Sequence, residues 1–277
     1  MRCSIGSPMA GDARRPQTSV QAPSRHGPIA QLLIALSPLS LILIVYAVAG
    51  WVTGPLASDL GGTNRLGLAL NVTGPPAVDR ALFGVIPTVW IQQRLVDGSV
   101  HWYDVLAAVV YASHFVAIPL LTAIMWFRWR RRFAGWIAAV ITFAVLGVAG
   151  YVLYPAAPPW MAAELGVIDE VRRISDIGWS GLNLDVISRG TVSAQGVSNP
   201  VAAMPSLHAG SSLLVTLAAW SRLGAIGRVC LSTYVVAMAA ALVYTGEHYV
   251  VDVLAGWVVA GIAIALATAI APRRHGG

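Results

Sequence analysis

Six stretches of this chain are apolar over roughly the 20 residues that a helix needs to cross a bilayer, and that leaves few folds open. They run approximately Ile29 to Trp51, Tyr103 to Phe127, Trp136 to Tyr154, Met204 to Ser221, Val229 to Tyr244 and Val250 to Ile270. The fourth and fifth are shorter and carry several Ser, Thr and Gly residues. Lipid offers no partner to an open backbone N–H or C=O, so helices are expected. A barrel would need short alternating strands, and no such pattern occurs. The expected fold is an all-α polytopic membrane helix bundle of about six transmembrane helices. Charged residues are only 11% of the 277, against about a quarter in a soluble domain.

The little charge there is sorts by side. All 18 basic residues are arginine, the pattern of a GC-rich genome. Twelve of them fall in four regions that a six-span path puts on one side: Arg2, Arg14, Arg15 and Arg25; Arg128, Arg130, Arg131 and Arg132; Arg222 and Arg228; Arg273 and Arg274. Arginine-rich links stay in the cytoplasm, so both termini are expected there, in a bacterial plasma membrane. The net charge of +6 is then an orientation signal, and no nucleic-acid partner is expected.

Residues 1–28, rich in Ser, Pro, Gly and Arg, read as a disordered cytoplasmic tail. Residues 29–272 are expected to form one six-span membrane domain, and 273–277 a second cytoplasmic tail. The first apolar run starts too late and is too long for a cleaved signal peptide. Of the outer segments, Val52 to Trp102 contains Ala81 to Val96, which with Trp90, Gln92, Gln93 and Arg94 reads as an interfacial stretch lying flat among headgroups. The other is Pro155 to Ala203. No internal repeat favours an inverted-repeat transporter. Cys3 and Cys230 are too few for a disulfide framework, and no Cys/His cluster has zinc spacing.

Two constellations could carry chemistry. His208 lies in Pro205-Ser206-Leu207-His208, where the fourth span begins. Pro205 suits a first helical position, which would leave the N–H groups of Ser206, Leu207 and His208 open to a phosphate. Ser211, Ser212 and Thr216 continue a small polar stripe. The plain alternative is a helix cap with a histidine in the headgroup zone. His248 and Asp252, at i and i+4, share one helix face. The carboxylate can accept the Nδ1 proton, so that Nε2 presents a lone pair. An aspartate inside an apolar span points to function, although an acid can also serve a helix N-terminus through the dipole. Both constellations fall at the outer level under the arginine topology. One histidine can attack phosphorus while the other protonates the departing oxygen. A metal held by His208, His248 and Asp252 is the competing chemistry and would want a fourth ligand; neither metal nor cofactor is expected.

These motifs resemble the type 2 phosphatidic acid phosphatase superfamily, specifically its inositol phosphorylceramide synthase-like branch. Pro205-Ser206-Leu207-His208 is similar to that family's Pro-Ser-Gly-His, with Leu207 in place of glycine. His248 and Asp252 match its final His-x-x-x-Asp, and Tyr154-Pro155-Ala156-Ala157-Pro158-Pro159 resembles a Pro-rich element of the branch. The lysine and Arg-Pro of the first family motif are missing, and Leu242 stands where an arginine is expected. Phosphate neutralisation must therefore come from elsewhere. Arg172, Arg173 and Arg189 are the basic residues of the loop before His208, and Arg173 is the favoured one, with Ser206 as a second substrate-binding residue. The resemblance implies a lipid phosphate substrate, His248 as nucleophile, Asp252 orienting it and His208 as general acid. Water as acceptor makes a phosphatase; an alcohol such as inositol makes a phosphotransferase.

His101 and Asp104, at the outer start of the second span, read as interfacial anchors. His114 lies deeper, as buried polar packing or as lining of a substrate groove. His26 and His275 sit in the tails, and Asn71-Val72-Thr73 matches a glycosylation acceptor with no meaning in a bacterium. A lipid or small-molecule transporter without chemistry is the alternative class, and a structural membrane protein a third.

Overall fold

A computed structural model describes residues 27–196 and 199–270, and apart from three isolated β-bridges every regular element among them is helical. The expected tails lie almost wholly outside the described residues. The first apolar run folds as α1 (Pro28–Leu36) and α2 (Ser40–Ser58), separated by a 3-10 turn at Ser37–Leu39. Pro38 lacks the N–H that would carry one helix through, so the run breaks there. Next come α3 (Gly74–Phe83), α4 (Pro87–Leu95), α5 (Trp102–Phe127) and α6 (Phe133–Leu153). The short α7 (Pro159–Glu164), α8 (Ile177–Ser180) and α9 (Asp185–Gly196) lie in the long segment before α10 (Leu207–Ala219), α11 (Ala225–Tyr244) and α12 (Val250–Ile270).

Among the described residues, five helical stretches are long and apolar enough to cross a membrane: Pro28–Ser58, Trp102–Phe127, Arg130–Leu153, Ala225–Tyr244 and Val250–Ala269. The protein is an all-α, multi-pass membrane bundle. Large apolar side chains such as Val229, Val236 and Val258 face outward, where lipid is their solvent. Trp136, Val140, Phe143, Leu214 and the alanines 260 and 263 pack within.

The fourth expected span differs. It is the 13-residue α10, about 20 Å long at 1.5 Å per residue, short of the hydrocarbon core of about 30 Å. It begins at Leu207, with Ser206 as N-cap, rather than at Met204 or Pro205. It packs at the centre of the bundle against α5, α6, α11 and α12.

The stretch Ala81 to Val96 also differs from expectation. It is the end of α3 and all of α4, broken at Gly84, whose φ is +74°. Trp90 and Arg94 stay exposed and stack, the guanidinium 4.1 Å from the ring centre. Thr88 and Gln92 are buried in protein rather than turned to headgroups. Gln92 Nε2 donates to the carbonyls of Arg172 and Tyr244, and its Oε1 accepts from Arg172 N–H. One amide side chain thereby ties α4 to the end of α11 and to the loop that carries Arg173.

Candidate active site

The site starts where two backbones nearly touch. A Cβ on Gly256 would lie 2.1 Å from the Ser206 carbonyl oxygen, and one on Gly210 would lie 2.7 Å from the Gly256 carbonyl. Small residues let membrane helices approach this closely. The approach allows Ser206 N–H to donate to the Asp252 carbonyl at 2.9 Å. The start of α10 is thus sunk a turn into the bundle, level with Asp252, and brings His208 with it.

The approach to α12 is equally constrained. Gly246 has φ +77°, and a Cβ there would meet the Arg172 carbonyl at 2.7 Å. That turn delivers Glu247 and His248. The open end of α12 is capped from a distance: Asp79, fully buried on α3, accepts from Val250 N–H at 3.0 Å and Val251 N–H at 2.9 Å. Burial raises the Asp79 pKa above the usual 3.8, against the lowering effect of those two hydrogen bonds.

Asp252 is wholly buried. Its Oδ2 accepts from Tyr249 N–H at 2.9 Å and lies 3.6 Å from His248 Nδ1. That is ion-pair distance and longer than a hydrogen bond; such contacts commonly tighten only when substrate is bound. The Thr88 hydroxyl donates to the His248 carbonyl at 3.3 Å, holding the residue from the far side.

His208 and His248 line a common cavity of about 790 Å³, their ring centres 5.9 Å apart. Tyr111 stacks on His208 at 5.0 Å. His114 lies closer to it still, at 4.3 Å, and its Nδ1 is 2.8 Å from Ser211 Oγ. His114 thus shows both features expected of it, polar packing against another helix and a place in the cavity lining. Tyr46, Phe115, Ile118, Phe143 and Ala144 add an apolar wall.

Arg173 lines this cavity as well, and also a surface cleft that it shares with Arg172; Arg172 does not line the cavity, and Arg189 is exposed. Arg173 Nε and Nη2 donate to the two carboxylate oxygens of Glu247 at 2.9 and 3.0 Å, and Ser175 Oγ donates to Glu247 at 2.6 Å. The guanidinium is 5.1 Å from the Trp160 ring centre. It is therefore held by an acid, which a serine in turn fixes, and lies near an aromatic face.

Ser206 sits otherwise than expected. Its side chain is fully buried, its Oγ accepts from Ala209 N–H at 3.3 Å, and its own N–H is taken by Asp252. It is the cap of α10, and its N–H is not open to a phosphate. Of the polar stripe, Ser211, Ser212 and Thr216 all return their hydroxyls to carbonyls of their own helix, and Ser211 Oγ also meets His114. Asp104 caps α5 by accepting from His101 N–H at 2.7 Å and takes the Tyr244 hydroxyl. Asn71 Nδ2 donates to the Pro155 carbonyl.

Sequence reasoning missed Asp79, Gln92, Glu247 and Ser175. Glu247 could have been suspected as an acid beside His248. Asp79 could not, because it acts on a helix 171 positions away.

The phosphoinositol dihydroceramide synthase of Bacteroides thetaiotaomicron is 27% identical over 198 residues, 68% of this chain and 64% of the relative. The chain thus spans just under two thirds of the length of that relative. No solved structure matches the chain with significance. The profile of the PAP2 superfamily matches residues 77–266, a range holding His114, Arg173, His208, His248 and Asp252. A match over that much of the sequence, taking in every histidine of the cavity, establishes that the chain belongs to the PAP2 superfamily.

Proposed function

We propose that this protein is a membrane lipid phosphatase or phosphotransferase that works through a phosphohistidine on His248. The observation that supports it most is the meeting of His208, His248 and Arg173 in one cavity, with Asp252 buried behind His248. His248 Nε2 attacks phosphorus while the bond to the lipid oxygen breaks and His208 protonates that oxygen. Asp252 holds the Nδ1 proton and stabilises the charge that develops on the ring. His208, now neutral, then takes the proton of an incoming hydroxyl as it attacks phosphorus and the P–N bond breaks. Arg173 would neutralise the phosphate, with Glu247 holding its guanidinium until substrate arrives. The apolar wall suits the hydrocarbon part of a lipid.

The active site faces outward from a bacterial plasma membrane, with both termini cytoplasmic. This orientation is supported by Arg128 and Arg130–Arg132 at the end of α5 opposite the Asp104 cap. An alcohol acceptor is favoured over water by the relative, which is named a synthase.

Detergent-solubilised protein supplied with lipid phosphates and several polyols, followed by mass spectrometry of lipid and phosphate products, tests this. Phosphate release or a new polyol phosphate monoester is expected. Neither appearing with any lipid phosphate would overturn the proposal and favour a transporter.

A further inference from the structure

The third histidine of the cavity has no part in the two-histidine cycle, and its hydrogen-bond network assigns its protons. The Ser211 hydroxyl has one proton, which goes to the His208 carbonyl at 2.9 Å. Ser211 Oγ therefore meets His114 Nδ1, at 2.8 Å, as an acceptor. In that arrangement Nδ1 carries the proton and Nε2 presents a lone pair. The ring lines the cavity, and no group among the described residues hydrogen-bonds Nε2.

A lone pair beside the reacting centre selects what can sit against it. Phosphoryl oxygens are acceptors and are repelled. A hydroxyl is a donor and is drawn in. We infer that His114 is a specificity-determining residue that receives a second O–H of the acceptor, while the attacking O–H is directed at His208. This rests on the phosphohistidine reading above. The two rings are adjacent, with centres 4.3 Å apart, so two donors on one small molecule can serve both. Water has two such donors, and so does a vicinal diol within a polyol. A monohydric alcohol has one, and leaves Nε2 unpaired. The acceptor class that fits is therefore water or a polyol with neighbouring hydroxyls. Phe115 packs edge-on against the His114 ring and Tyr111 packs edge-on against Phe115, so the nearest surroundings of the ring are aromatic.

The full-length protein in detergent, given an aryl phosphate and an equimolar mixture of cis-1,2-cyclohexanediol and cyclohexanol, tests this. Both acceptors compete for the same phosphoenzyme, so the ratio of the two phosphate esters does not depend on how much protein is folded. The wild type should favour the diol by about tenfold, the worth of one hydrogen bond in a partly closed site. His114→Phe should bring the ratio near that set by hydroxyl count, and His114→Gln, which keeps an acceptor at the Nε2 position, should restore part of it. Ser211→Ala releases the ring from its tautomer and should lower the preference in between. An unchanged preference in His114→Phe, or no preference in the wild type, would overturn the inference. Turnover to neither ester nor free phosphate by the wild type would instead sink the underlying phosphohistidine reading, and this one with it.

Discussion

Ser206 donates its backbone N–H to the carbonyl oxygen of Asp252 at 2.9 Å, so the helix that presents His208 is tied to the first turn of the helix that orients His248. The tie exists only because Gly256 has no side chain. Gly256→Ala puts a methyl group 2.1 Å from the Ser206 carbonyl. Overpacking of this kind costs about 1–3 kcal/mol. Displacing His208 by an ångström should lower turnover on the order of a hundredfold. Gly261→Ala, on the same helix with open space around it, is the control and should be neutral in both thermal unfolding and activity.

Asp79 caps α12 from another element, and Asp79→Asn keeps only one acceptor for two N–H groups. One donor left unsatisfied costs about 1–3 kcal/mol, and the entry to α12 that carries His248 should loosen with it. The pH dependence has a definite sign. Burial raises the folded pKa above the ordinary 3.8, so the native state holds the proton more tightly than the unfolded chain does. This residue's contribution to stability therefore falls as pH rises from 3.8 through the raised folded value. Unfolding measured across that range should show the decline in the wild type and lose it in Asp79→Asn.

The roles assigned to the three central residues separate on leaving groups. His248→Ala should abolish turnover of every substrate, activated or not. His208→Ala should cost about 10²–10⁴-fold on a lipid phosphate, the usual share of a general acid, and much less on an aryl phosphate. Asp252→Asn should lower kcat with little change in KM, as expected for an interaction made mainly in the transition state. Equal recovery of the two histidine variants on the aryl ester would show that the nucleophile had been assigned wrongly.

Sidedness can be read from accessible cysteines. Asp169 is exposed in the long segment before α10, and Gly224 lies in the arginine-flanked link between α10 and α11 with open space around it. In intact cells, in a background with Cys3 and Cys230 replaced, an impermeant thiol reagent should label Asp169→Cys and spare Gly224→Cys. The reverse pattern would invert the topology and put the histidines on the cytoplasmic side.

Apolar length alone determined most of the bundle. The runs read as Val250 to Ile270 and Tyr103 to Phe127 are α12 and α5 to within one residue, because lipid permits little else for 20 apolar residues. The i, i+4 pairing of His248 with Asp252 was equally legible, being a property of one helix turn. What only the tertiary structure decided is depth and company. Pro205 is a good first helical residue by local preference, yet α10 starts after Ser206, whose N–H is needed against Asp252. His114 reaches Ser211 across 97 positions, and Asp79 reaches Val250 across 171. Periodicity reports on neighbours along the chain, whereas the level at which one helix meets another is set by contacts such as Gly256 against Ser206. No local pattern encodes those contacts, and they decide which histidines share a cavity.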